Sequence, residues 1–137
     1  LAGSCLSGIA FLKGLGLVHA ISHMVGAEYD TQHGLTNAVV LPAALRHNAP
    51  ALADKIEPLS QAMGLRDTSF EAFYAHICAI LDRVGIPKTL TDIGVPSDCA
   101  ARIADKALQD SAAGTNACAL TAQDIERVIA VALTKGR

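Results

Sequence analysis

Residues 17–42 read LVHAISHMVGAEYDTQHGLTNAVVLP, and nowhere in them do β-branched and aromatic side chains alternate with polar ones over a strand's length. The apolar positions come instead in runs long enough for helices, parted by a short polar cluster. The stretch therefore predicts a helix from about Leu17 to Gly26, a loop over Ala27 to Gln32 and a second helix from His33 to His47. Pro42 removes an amide donor from that second helix and must kink or interrupt its ladder.

The same pattern extends in both directions. Upstream, a helix over Ala2 to Lys13 joins the quoted stretch through Gly14 and Gly16. Downstream, Pro50 suits a first helical turn, and the segment to Gly64 is helical with a break at Pro58. Asp67, Thr68 and Ser69 can cap a helix carrying Phe70, Phe73, Ile77, Ile80, Leu81 and Val84, which Gly85 and Pro87 stop. Ser97 opens another, with Ala100, Ile103, Ala107 and Leu108 on one face. Thr121 with Asp124 approximates a capping box for the last, which carries Ile125, Val128, Ile129 and Leu133. The expected class is all-α, an irregular bundle of six to seven helices without sheet or internal repeat.

A chain of 137 residues suits one domain, and 51% hydrophobic with 18% charged residues excludes a disordered profile. The net charge of -2 and 11 scattered Lys and Arg offer no stripe to follow a phosphate backbone, so nucleic acid is excluded as a partner. Residues 1–27 hold Lys13 as their one formal charge, but also five glycines and two histidines, which favours a buried helix pair over a membrane span. Cys5, Cys78, Cys99 and Cys118 form no C-x-x-C pair and read as buried free thiols of a cytoplasmic protein. An apolar run begins at Leu1 with no capping residue before it, as expected of a chain cut from something longer.

Three of the five histidines, His19, His23 and His33, fall within fifteen residues of a nearly uncharged region. A separation of four puts His19 and His23 on one helical face, and a returning chain can point His33 at the same place. Imidazole suits Zn2+ or Fe2+. Spacing alone leaves open which of the three bind, and equally allows histidines hydrogen-bonded in a core. Glu28 and Asp30 fall on the expected loop, where solvated roles suit them.

The run from Gly14 to Pro42 closely resembles the signature of the iron-containing (group III) alcohol dehydrogenases: an H-A-x-x-H helix, a ten-residue step to H-G, then N-A-x-x-L-P. The resemblance continues through Arg46 and Asn48, L-x-D-x-G-V at Leu90 to Val95, and L-T-A-x-D-I at Leu120 to Ile125. It implies the all-helical C-terminal domain of a two-domain, dehydroquinate synthase-like dehydrogenase, residues 1–137 forming a single helical metal and catalytic domain. It further implies Fe2+, or Zn2+ in some members, held by one Asp and three His, of which His19 and His33 match two. His23 matches a histidine near the nicotinamide and substrate that helps in proton transfer, so the resemblance gives it a catalytic and cofactor-contacting role and no metal. Phe11 would line the substrate pocket. The family's N-P-R before the last helix reads Asn116, Ala117, Cys118 here.

No D-x-x-x-H segment and no Gly-rich phosphate loop after a strand occurs in the chain. The resemblance therefore places the other two ligands, and most contacts to NAD or NADP, in an upstream α/β domain. The expectation is a fragment inactive alone, part of an enzyme acting on a small alcohol or aldehyde, with an apolar N-terminal face able to drive homodimerisation. The alternative is a freestanding helical module that binds a metal or a partner protein without catalysis.

Overall fold

The computed structural model describes residues 2–137. The helices are α1 (Ala2–Leu12), α2 (Leu17–Tyr29), α3 (His33–Asn48), α4 (Ala53–Ala62), α5 (Phe70–Arg83), α6 (Ala100–Leu108) and α7 (Ala122–Thr134). Three 3-10 turns lie at Ala49–Leu52, Thr91–Ile93 and Ala113–Thr115, and no strand occurs among the described residues. The all-α expectation holds. No single described helix is long and apolar enough to cross a membrane; α1 and α2 together are, but they meet at 88°.

Local chemistry explains most boundaries. The Ala72 amide donates to Ser69 Oγ at 3.2 Å to start α5, and Thr121 and Asp124 complete a reciprocal capping box for α7. Gly14 turns the chain between α1 and α2 at φ +98°, where an added Cβ would stand 2.6 Å from Thr115 Cβ, so glycine is required twice over. α3 runs on through Pro42. α4 likewise contains Pro58, while Pro50 sits in the 3-10 turn before it.

Two expected boundaries differ. α2 continues past Gly26 to Tyr29, because Asp30 takes the left-handed conformation, φ 53°, and its amide closes the last turn on Gly26 O. Glu28 therefore stands on a helix and not on a loop. α6 begins at Ala100 behind Cys99, with no side-chain cap, so Ser97 does not open it. Of the cysteines only Cys99 is buried; Cys78 and Cys118 are half-buried and Cys5 is exposed, all as free thiols.

One core joins Leu17, Ile21 and Val25 of α2 to Val39 and Val40 of α3, Ile103 of α6 and Ile125, Ile129 and Leu133 of α7. Asn116 ties its N-terminal end: Oδ1 accepts from the Leu17 amide at 3.1 Å, and its amide pairs reciprocally with that of Asn48 at 2.8 and 2.9 Å. Gly16, the residue before α2, offers no side chain for that task, so Asn116 acts as a cap supplied from across the fold. Ile129 is fully buried. Ile129→Ala should therefore lower unfolding free energy by about 2–5 kcal/mol in urea titration, and a loss under about 1 kcal/mol would contradict this packing.

Candidate functional site

A short connection, residues 30–32, turns α2 back onto α3, and the buried side of α2 at Leu17, Ala20, Ile21 and Val25 fixes its rotation. The turn is held locally. Thr36 Oγ1 lies 2.8 Å from Thr31 Oγ1 and donates to Gln32 O at 3.0 Å, while Gln32 accepts from the Leu35 amide. His33, first residue of α3, is thereby delivered beside the α2 face that carries His19 and His23.

The three rings converge. Their centroids lie 5.8 Å (His19 to His23), 5.3 Å (His19 to His33) and 5.4 Å (His23 to His33) apart, with the last pair stacked at 17°. The three histidines differ in partners. Asn37 Nδ2 lies 3.1 Å from His33 Nε2 and 3.4 Å from His19 Nε2, so one amide donates toward both nitrogens. His23 has a different partner: its Nδ1 lies 3.0 Å from Asp110 Oδ2. The pairing of His19 with His33, and the separate engagement of His23, is geometry that four-residue spacing alone could not supply.

The donor chemistry suits a divalent cation in part. Burial lowers the pKa of His19, and nearby His33 and His23 lower it further, favouring the neutral imidazole whose lone pair a metal needs. Asn37 Oδ1, on the amide whose nitrogen reaches both Nε2 atoms, is buried without a hydrogen-bond partner. Among the described residues no group of three or more His, Cys, Asp or Glu side chains is placed to enclose an ion. The residues present thus fit as two ligands of a larger set.

Beside His19 opens a groove of about 710 Å³ whose lining includes Phe11, Leu15, Val18, His19, Asn37 and Leu41. Phe11 stands at its α1 edge, 64% exposed. Its walls are mostly apolar, with His19 and Asn37 as polar points, a pattern suited to a small organic molecule.

Two features escaped the sequence reading. Asp110 comes from the turn after α6, and no local motif marks it as the partner of a histidine far upstream. Glu28, expected to be solvated, instead accepts from Arg102 Nε at 2.7 Å and Lys106 Nζ at 2.8 Å, with Tyr29 Oη donating at 2.9 Å. These contacts brace the histidine-bearing helix against α6. The Lys106 and Arg102 hydrogen bonds, with that of Tyr29, bring the Glu28 carboxyl down from 4.5 to about 2. A depressed carboxyl stabilises the fold fully above its unfolded value and loses that contribution as pH falls toward the folded one. Glu28→Gln should therefore melt below the parent at neutral pH, the gap narrowing as pH drops from 4.5 toward about 2. A gap in thermal melts that ignores pH would show that Glu28 contributes no such charge.

Comparison with known proteins bears on all of this. Residues 1–133 match the model of the Fe-containing alcohol dehydrogenase family, C-terminal. The chain is 36% identical over 130 residues to lactaldehyde reductase of Escherichia coli (strain K12), covering 90% of this chain and 34% of that protein. It is 37% identical over 120 residues to 1,3-propanediol dehydrogenase of Klebsiella pneumoniae, covering 82% and 31%. A solved structure of 1,3-propanediol oxidoreductase superposes with a TM-score of 0.82 at 34% identity, covering 87% of this chain and 33% of that one. The chain thus spans about a third of the length of the curated relatives it matches.

Proposed function

The chain belongs to the iron-containing alcohol dehydrogenase family, and on that premise we propose that residues 1–137 are the helical metal-holding domain of an NAD(P)-linked oxidoreductase interconverting a small alcohol and its aldehyde or ketone. The observation that carries this reading is the approach of His19 Nε2 and His33 Nε2 to one amide nitrogen, which directs two lone pairs to a common region. His19 and His33 would hold the divalent iron, or zinc in its place, together with ligands outside this chain. When bound, that cation supplies a Lewis acid for the substrate oxygen.

The chain's own residues divide the remaining work. Asn37 Nδ2 meets the two Nε2 lone pairs that the cation would take, so its amide would turn aside on binding. His23, with Nδ1 on Asp110, holds or accepts a proton at Nε2 and stands at the face where the nicotinamide would approach. Phe11, Leu15 and Leu41 make an apolar wall for the carbon chain of the substrate. The dinucleotide is assigned to an α/β domain outside residues 1–137, and this chain alone is inactive.

Leu6, Ile9 and Leu12 of α1 are 57–84% exposed, an apolar face for the nucleotide domain or for a second copy in a homodimer. Nucleic acid and membrane have no part in this reading, and the free thiols accord with the cytoplasm.

Stripping metal from the full-length protein with a chelator tests the proposal. NAD(P)-linked oxidation of short alcohols and diols should vanish and return with added Fe2+ or Zn2+. Undiminished turnover by metal-free protein would overturn it.

A further inference from the structure

We infer that Asp110 is a positioning residue that fixes His23 as the Nδ1–H tautomer and so presents Nε2 as the proton acceptor of the site. The tautomer rests on geometry alone; its use in turnover rests on the oxidoreductase reading above.

Asp110 is doubly engaged. Oδ2 lies 3.0 Å from His23 Nδ1, Oδ1 accepts from the Ala112 amide at 2.8 Å, and the Asp110 carbonyl accepts from the Ala113 amide at 3.0 Å. The side chain is only 13% exposed, against 35% for His23. An ionised carboxylate is an acceptor at both oxygens, so the hydrogen between Asp110 and His23 belongs to Nδ1. A neutral imidazole with hydrogen on Nδ1 keeps its lone pair on Nε2, and no hydrogen bond occupies that atom among the described residues. The His33 ring lies alongside His23, near-parallel at 17° with centroids 5.4 Å apart. When Nε2 takes a proton from a hydroxyl, the imidazolium formed still donates to the Asp110 carboxylate, which steadies its charge.

A residue needed only for the turn would use one oxygen. Asp110→Asn separates the two roles, because its amide oxygen can keep the Ala112 hydrogen bond while its NH2 faces His23. Two donors cannot face each other, so His23 must move its hydrogen to Nε2. The substitution therefore spares the turn and reverses the tautomer.

Nitrogen-15 NMR of histidine-labelled full-length protein in its diamagnetic zinc form reads the tautomer directly. The parent should show His23 as Nδ1–H and Asp110→Asn should show it as Nε2–H, with unchanged far-ultraviolet circular dichroism. In turnover, Asp110→Asn should lower kcat about tenfold to a hundredfold while KM and metal content stay near the parent's. An Nε2–H tautomer in the parent overturns the proposal whether or not the variant folds, as does a variant whose tautomer stays Nδ1–H. A reversed tautomer with unchanged kcat removes the positioning role but leaves the dehydrogenase standing. A parent without alcohol-linked turnover removes the dehydrogenase and leaves the tautomer assignment intact.

Discussion

Full-length protein carrying His33→Ala is expected to lose its bound divalent metal and, with it, alcohol turnover by about a thousandfold or more. The size follows from chemistry: a Lewis acid at the substrate oxygen contributes several kcal/mol in the transition state, and each 1.36 kcal/mol is about a factor of ten. His19→Ala should do the same, since its Nε2 shares the Asn37 amide with that of His33. Both variants should keep their fold, because neither histidine belongs to the buried core. Metal analysis and turnover measured on the same preparations check the result. Stoichiometric iron or zinc in His33→Ala would remove it from the ligand set.

His23→Ala should behave differently. Metal content should stay at the parent's level while turnover falls by about a hundredfold to ten-thousandfold, the range expected when a proton acceptor is removed. The distinction follows from the engagement of Nδ1 with Asp110, which leaves His23 outside the pair that Asn37 joins. Loss of metal in this variant would mean that helical proximity to His19 governs and that His23 is a ligand.

The amino-acid sequence carries the helical class because several helix starts and stops are local. Ser69, Thr121 with Asp124, and Gly85 act within a turn of their own positions, and each acts as expected. The end of α2 is less visible. Asp30 terminates it in a conformation usually left to glycine, so Ala27 to Tyr29 read as loop although they are helical, and Glu28 reads as a solvated loop residue. The placement of Glu28 matters, since one more turn of α2 is what lets its carboxylate reach Arg102 and Lys106.

The histidine cluster is legible because its three members are close in sequence, while the groups that distinguish them are not. Asn37, four residues after His33 on α3, is within reach of helical spacing, but Asp110 lies 87 residues from His23, a separation at which no periodicity speaks. Asn116, which caps α2 across the fold, belongs to the same class: it lies in a turn whose local pattern shows only loop. Asp110 and Asn116 come from the segment after α6, so the C-terminal part of the chain completes a site whose recognisable residues lie in α2 and α3.

The central claim is that His19 and His33 together grip one cation while His23 stays free of it. Anomalous diffraction at the zinc edge, on crystals of the zinc-loaded full-length protein, tests this most directly. The claim predicts a single peak within bonding distance of His19 Nε2 and His33 Nε2, with His23 Nδ1 still on Asp110. A peak bonded to His23, or one that touches neither His19 nor His33, would contradict it.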